Sequence, residues 1–139
     1  PYVIEYNVRM GDPETQVVLP RIKNDLGEMF YATAMGKLDE VELLVEDKSA
    51  TTVVAVSGGY PEAYQKGKII NGLPSSSNST VFHAGTTNKD DEILTNGGRV
   101  IAVTSLADDH KKALTKSYKL LEEISFEGMY YRKDIGFDL

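Results

Sequence analysis

The sequence predicts an α+β chain in which a strand, a turn and a helix precede a small β-rich module covered by one helix. Three observations point to this class. Apolar and polar residues alternate over residues 2–9, short β-branched runs separated by turn residues fill 51–105, and a helical apolar stripe spans 108–124. The 139 residues include 41% hydrophobic and 26% charged residues, which is a globular composition.

The opening segment is interpreted as a strand with one apolar and one polar face. The polar face presents Glu5, Asn7 and Arg9. The face predicted to be buried consists of Tyr2, Ile4, Tyr6 and Val8. Successive side chains on one face lie roughly 6.6 Å apart, so Glu5 and Asn7 are close enough to share a hard cation that prefers oxygen ligands. Arg9 would then project toward an anionic group. The alternative is a half-solvated strand with incidental polar residues.

A sharp turn over residues 11–16 follows this strand. Gly11 permits backbone conformations that other residues resist, and Pro13 fixes φ. Such a turn can bring Asp12 and Glu14 back beside the polar strand face.

The next residues predict a helix and then a connector. The helix runs from about Asp25 to Met35, with Asn24 as its N-cap and Gly36 as its stop. Its predicted core residues are Leu26, Met29, Phe30 and Ala34. The acidic residues within 37–50 indicate a solvated connector, which divides the chain into domains at 1–48 and 49–139.

The second domain carries the signals of several short strands and one helix. A buried strand is predicted over Thr51–Val56, and shorter strands over Val81–Ala84 and Glu92–Leu94. The turn residues Asn96-Gly97-Gly98 predict a hairpin from the last of these into a strand over Arg99–Ser105. Asp108 is predicted to cap a helix that reaches Ile124, with an apolar stripe formed by Ala113, Leu114, Tyr118, Leu121 and Ile124.

Four motifs, in order along the whole chain, resemble one family. They are Glu5-x-Asn7-x-Arg9-x-Gly11-Asp12-Pro13-Glu14-Thr15-Gln16, Ser57-Gly58-Gly59-Tyr60-Pro61, Gly97-Gly98-Arg99-Val100-Ile101-Ala102-Val103-Thr104 and Phe126-Glu127-Gly128-Met129-Tyr130-Tyr131-Arg132-Lys133-Asp134-Ile135-Gly136. The chain resembles the ATP-grasp ligases and, more narrowly, the phosphoribosylamine–glycine ligases, also called glycinamide ribonucleotide synthetases. The resemblance implies the end of an ATP-grasp catalytic domain followed by a β-rich barrel or sandwich-hybrid C-terminal domain. The lobes that clamp ATP would lie upstream of Pro1, so we expect this chain alone to be inactive.

The resemblance implies an ATP-dependent ligase of de novo purine biosynthesis. It would join glycine to 5-phosphoribosylamine, giving glycinamide ribonucleotide, ADP and phosphate. A Mg²⁺ or Mn²⁺ ion held by Glu5 and Asn7 would neutralise phosphate charge on ATP. Arg9 would stabilise the transferring phosphoryl group or the acyl phosphate. Asp12 and Glu14 would orient the attacking amine or accept its proton, and the sequence does not choose between them.

The substrate-binding residues suggested by the resemblance lie in the second domain. They are Gly58, Gly59, Tyr60, Arg132 and Lys133. The two glycines permit close approach of another backbone at the end of a strand, although an ordinary turn has the same composition. The adjacent cations of the tail, residues 130–136, suit either the ribose phosphate of the substrate or packing of this domain onto the ATP-grasp core. A surface salt-bridge cluster is the third possibility.

Charge and composition exclude several other classes. The net charge of −6 argues against general affinity for nucleic acid or for an anionic membrane. The chain has no Cys, which excludes disulfides and thiolate metal sites and fits a reducing compartment, so a cytoplasmic location is expected. No apolar run approaches the ~18 residues of a membrane span. The expected partners are therefore glycine, 5-phosphoribosylamine, ATP and the remainder of the parent chain.

Two other functional classes stay open. Another ATP-grasp ligase, of purine or carboxylation metabolism, would share the Glu5-x-Asn7-x-Arg9 pattern but should lack the turn at 11–16 and the tail motif. A non-catalytic β-barrel binding module would be favoured if residues 1–20 packed wholly inside the core of this chain.

Overall fold

The computed structural model describes residues 2–5, 8–75 and 77–138, and its fold is α+β as predicted. The helices are Glu14–Val18 (α1), Leu26–Ala34 (α2) and His110–Glu123 (α3). The strands are Ser49–Val56 (β1), Ser79–His83 (β2), Thr86–Lys89 (β3), Glu92–Thr95 (β4) and Arg99–Ala107 (β5). Two single turns of 3₁₀ helix span Leu19–Arg21 and Leu38–Glu40. In the described ranges, no helix combines the length and the apolar character needed to cross a membrane.

The larger sheet has three antiparallel strands in the order β1-β5-β2. Its middle strand, β5, is rich in β-branched and small apolar residues, and it is buried along almost its whole length. The register places Val103 opposite both Val53 of β1 and Val81 of β2. Because β5 is paired on both edges, its backbone donors and acceptors are satisfied where water is excluded.

Helix α3 covers one face of this sheet. The stripe predicted for it is confirmed, since Ala113, Leu121 and the following Ile124 are buried while Leu114 and Tyr118 are partly buried against the same core. The core also contains Val53, Ala55, Ile70, Val100, Ile101, Val103, Leu120 and Phe126. The hydrophobic effect of this layer therefore holds α3 and β5 together.

The predicted hairpin between β4 and β5 is wrong. β4 pairs with β3 in a separate two-stranded sheet. The turn between these strands is made by Asp90 and Asp91, which both have positive φ, as a tight hairpin turn matching the twist of its strands requires. Asn96 instead donates its backbone N–H to the Gly85 carbonyl, at 2.7 Å, and the chain then crosses into the larger sheet.

Both predicted helix caps are displaced by one residue. Asp25, not Asn24, caps α2 and accepts a hydrogen bond from the Glu28 backbone N–H. Asp109, not Asp108, caps α3. In each case the capping residue has an extended backbone, and its carboxylate reaches the N–H three residues later. The Asn24 side chain has another role, because it accepts from the Leu44 N–H at 2.7 Å and donates to the Glu42 carbonyl at 2.9 Å.

The predicted core of α2 is not observed. None of the α2 residues, all of which the structure describes, is buried. Phe30 is 66% exposed and Ala34 is exposed, while Leu26 and Met29 are partly buried. The apolar stripe is present in the sequence, but the larger sheet is already covered on one side by α3 and does not bury α2.

The predicted opening strand also does not form within the described residues. Tyr2 is 99% exposed, Ile4 and Val8 are similarly exposed, and residues 2–5 and 8–10 are not part of any described strand. Tyr6 and Asn7 lie outside the described residues. The physical reason is that alternation makes a segment suitable for a sheet, but a strand also needs a neighbouring strand to pair with. No described strand lies beside this segment.

We expect Leu121→Ala to lower the free energy of unfolding by about 2–5 kcal/mol, because this core side chain is 1% exposed and its loss leaves a cavity. Leu43→Ala removes the same atoms from a side chain that is 56% exposed, and it should change stability by only about 0.5 kcal/mol. Urea unfolding of both variants measures the difference. Equal losses would contradict the position of the core.

Candidate functional site

A groove of about 290 Å³ lies where the Asp12–Pro13 turn, β1 and the tail of the chain meet. Its apolar lining includes Val54 and Val56 of β1 and Ile135 of the tail. Its polar and aromatic lining comprises Thr52, Tyr60, Arg99, Tyr130, Tyr131 and Arg132. The groove therefore combines an apolar surface with two arginines, a combination suited to a ligand with both apolar and anionic parts.

Arg99 connects the turn to this groove. Its Nη1 lies 2.6 Å from Asp12 Oδ2, and the two side chains are 52% and 42% exposed. Its guanidinium carbon is 5.9 Å from the centre of the Tyr60 ring, within the range of a cation–π interaction. The Tyr60 ring in turn packs directly on Gly98, where a Cβ atom would collide with it. The sequence did not identify Arg99 as a site residue, although Arg99 directly follows the two glycines of the motif at residues 97–104.

The glycines after β1 allow a close approach of two backbones. A Cβ added to Gly58 would lie 2.7 Å from the carbonyl oxygen of Gly128. Gly59 has φ of +94°, a conformation that side chains other than glycine rarely adopt. The close approach predicted for these glycines is thus confirmed, and it brings the tail beside the end of β1. Substrate contact by Gly58, Gly59 and Tyr60 stays a prediction.

The tail is anchored to β1 by backbone pairing, and its two adjacent cations line different depressions of the surface. Val56 and Tyr130 exchange two backbone hydrogen bonds, at 2.8 and 3.0 Å. Arg132 lines the groove, whereas Lys133 lines a separate depression beside Tyr118. The structure therefore does not bring Arg132 and Lys133 into one cationic site.

Arg132 forms a two-point ion pair with Asp134. Its Nε and Nη2 atoms each lie 2.9 Å from a different carboxylate oxygen. These hydrogen bonds are the main reason why the pKa of Asp134 is lowered and the pKa of Arg132 is raised. The Tyr118 hydroxyl also donates to the Arg132 carbonyl, at 2.8 Å. The guanidinium is thus held in one orientation at the groove.

The structure describes the predicted catalytic residues of the opening segment and Glu5, one of its two predicted metal ligands. Arg9 donates from Nη1 to the Met10 carbonyl, at 3.1 Å. Glu14, the first residue of α1, accepts from the Gly11 backbone N–H through Oε2 and thereby closes the turn. Glu5 is exposed. Across 2–5, 8–75 and 77–138, no group of three or more His, Cys, Asp or Glu residues is arranged to hold a metal. A metal held by Glu5 and Asn7 stays a prediction.

Comparison with known proteins decides the family. The profile described as "Phosphoribosylglycinamide synthetase, C domain" matches residues 50–138. The chain belongs to this phosphoribosylglycinamide synthetase family. The resemblance inferred from the four motifs is therefore confirmed, whereas the predicted boundary between residues 48 and 49 stays a prediction.

Relatives of this family match nearly the whole chain. The phosphoribosylamine–glycine ligase of Caldanaerobacter subterraneus subsp. tengcongensis is 50% identical over 136 residues, covering 98% of this chain and 33% of that protein. The bifunctional purine biosynthetic protein purD of Dictyostelium discoideum is 53% identical over 138 residues, covering 96% of this chain and 17% of that protein. The chain thus spans a third or less of the length of these curated relatives.

A solved structure shares the fold. The crystal structure of phosphoribosylamine–glycine ligase from Thermotoga maritima matches with a TM-score of 0.76 and 36% identity, covering 96% of this chain and 33% of that chain. The arrangement of sheets and helix described above is therefore that of the synthetase family.

The lowered pKa of Asp134 should depend on its ion pair with Arg132. A carboxylate whose pKa is lower in the folded protein stabilises it above the ordinary Asp pKa, and this contribution is lost as the pH falls through the lowered pKa. Carboxyl carbon NMR should therefore show Asp134 titrating below the ordinary range of Asp. Arg132→Gln should move the titration back up, and the neighbouring change Lys133→Gln should not. An Asp134 pKa that is unaffected by Arg132→Gln would contradict the ion pair.

Proposed function

We propose that this chain serves in an ATP-dependent carbon–nitrogen ligase that joins glycine to 5-phosphoribosylamine. The products would be glycinamide ribonucleotide, ADP and phosphate, in de novo purine biosynthesis. The observation that carries this proposal is the family match over residues 50–138, together with relatives named phosphoribosylamine–glycine ligase at about half identity. Because the chain spans about a third of those relatives, the activity would require the rest of such a protein.

We further propose that residues 1–48 complete an ATP-grasp domain. Exposed apolar side chains are concentrated there, and they include Tyr2, Val3, Ile4, Val8, Phe30, Tyr31 and Met35. An apolar surface of this kind marks a contact with another protein surface. The same contact would supply the neighbouring strand that the alternating residues 2–9 need in order to pair.

The oxygen donors proposed for a metal belong to this opening segment. Glu5 offers an exposed carboxylate and Asn7 an amide oxygen, a donor set that suits Mg²⁺ or Mn²⁺. When bound, the ion would neutralise charge on the phosphate oxygens of ATP, the co-substrate. Most of the ATP site would lie in the part of the ligase that this chain does not span.

The remaining roles are assigned to residues of the turn and the tail. Arg9 would stabilise negative charge on the transferring phosphoryl group or on the acyl phosphate of glycine. Asp12 and Glu14, each held by a hydrogen bond or an ion pair, would orient the attacking amine or accept its proton. Arg132, fixed by Asp134 on the groove, is the tail cation that we assign to the ribose phosphate. Lys133 faces another depression, which favours a domain-packing role for it.

The two other functional classes are less well supported. The chain contains both the motif at residues 11–16 and the tail motif, which a sister ATP-grasp ligase should lack. A non-catalytic binding module would be favoured by packing of the opening segment inside the core. Residues 2–5 and 8–10 are instead exposed. We therefore retain the glycine ligase, and we place it in the cytoplasm because the Cys-free composition fits a reducing compartment.

We expect the full-length protein that carries this segment to form ADP from ATP only when glycine and 5-phosphoribosylamine are both present. A coupled ADP assay, with each substrate omitted in turn, measures this dependence. ADP formation that requires a different amine or bicarbonate would assign the protein to a sister ligase instead.

Substitution of two arginines should separate chemistry from substrate capture in the same full-length enzyme. Arg9→Ala should lower kcat about 10²–10³-fold, the usual effect of removing one preorganised donor to transition-state charge. Arg132→Ala should raise the KM for 5-phosphoribosylamine while kcat stays within a small factor, because the substitution removes a contact that binds the substrate in its ground state. Steady-state kinetics for each substrate give both constants. Similar modest effects in both variants would make Arg9 a structural residue.

A further inference from the structure

Arg99 is the one described cation that both lines the groove and forms an ion pair with the turn of residues 11–14. The backbone on either side of it is firmly held. The Ser57 N–H donates to the Gly98 carbonyl at 2.8 Å, the buried Ser57 hydroxyl donates to the Gly97 carbonyl at 2.9 Å, and the Gly85 N–H donates to the Arg99 carbonyl at 2.8 Å. The Arg99 side chain therefore extends from a backbone that is held in place by hydrogen bonds.

The partner of Arg99 lies in the other part of the chain. Asp12 is between Arg9 and Glu14, the two residues proposed for phosphoryl and amine chemistry. A second contact holds helix α1, which begins where this turn ends, since the Thr104 hydroxyl donates to the Gln16 carbonyl at 2.9 Å. Thr104 is fully buried in β5, and Thr52 Oγ1 lies 2.9 Å from its oxygen. β5 thus contacts this part of the chain at two points, one in the turn and one in α1.

The energetics indicate a role in orientation rather than in stability. Both members of the Arg99–Asp12 pair are about half exposed, and exposed ion pairs contribute little to the free energy of unfolding. The same pair nevertheless sets the direction of the Asp12 carboxylate, which lies between Arg9 and Glu14 in the chain. In catalysis, small errors of position have large effects on rate.

We propose that Arg99 is a positioning residue through which the β-rich module aligns the catalytic turn of the ligase. The guanidinium sets the orientation of Asp12 and links it to the groove in which Arg132 would hold the substrate. This inference rests on the proposed function, because it gives Asp12 and its neighbours a role in the reaction. The proposal gives the β-rich module a second role, because the module would orient reacting groups as well as line the substrate site.

The test uses the full-length enzyme with Arg99→Gln, Arg99→Lys and, as a matched control, Lys68→Gln. Lys68 forms an ion pair of 2.7 Å with Glu127 in the same module, away from the turn. Arg99→Gln should lower kcat about 10–10²-fold, the loss expected from slight misplacement of reacting groups, with the KM for ATP little changed. Arg99→Lys should recover part of kcat, because the charge is retained without the planar fork. Lys68→Gln should leave both constants unchanged.

Two further measurements separate positioning from folding and from the proposed function. In the Asp12→Asn background, Arg99→Gln should have little additional effect on kcat, because the two residues act as one unit. Hydrogen exchange of the full-length protein should show faster exchange across residues 11–18 in Arg99→Gln and not in Lys68→Gln, whether or not ligase activity is found. Unchanged exchange, or a fall in kcat matched by a fall in thermal stability, would overturn the proposal. Faster exchange without any glycine ligase activity would overturn the proposed function and leave the contact standing.

Discussion

The burial of β5 on both faces is the constraint on which the rest of the structure depends. One face carries Ile101 and Val103 against the core beneath α3, while the other carries the buried Ala102 and Thr104. A strand enclosed in this way must have both backbone edges paired, which β1 and β2 provide. It must also have its polar side chains satisfied, and the Thr104 hydroxyl meets this demand by binding the Gln16 carbonyl. Packing of the core thereby determines where α1, which directly follows the turn, is held.

Close backbone contacts then place the remaining parts of the groove. Gly58 lets the tail lie against the end of β1, and the paired backbones of Val56 and Tyr130 fix its register. Tyr60 lies on Gly98, so its ring is available to Arg99 at the start of β5. Glycine is required at these points by steric contact, since a Cβ atom would strike a neighbouring backbone or ring. The groove is therefore a consequence of how closely three backbone segments approach one another.

The fold was predictable where a local pattern decides it and not where the choice of partner decides it. The stripe of α3 and the run of β1 follow from periodicity and composition, and both were predicted. The caps were each displaced by one residue because Asn24 and Asp25, like Asp108 and Asp109, are all residue types that can cap a helix. The pairing of β4 was misassigned because Asp90 and Asp91 compete with Asn96-Gly97-Gly98 as a turn. Only the packed structure selects between two neighbouring capping residues or between two competing turns.

The same distinction explains what was missed in the candidate site. Motif resemblance drew attention to Asp12, Tyr60 and Arg132, but it did not indicate that Arg99 joins the first two. That contact connects residues far apart in the chain and depends on the docking of the turn onto β5. Conversely, the alternation of residues 2–9 predicted a strand whose apolar face is exposed in the described residues. An alternating pattern forms a strand only where a neighbouring strand pairs with it, and among the described residues no strand pairs with residues 2–5 or 8–9. The stability of the opening segment and of the α2 surface thus depends on what covers them, whereas the contacts of Arg99 with Asp12 and of Thr104 with Gln16 already hold the turn and α1.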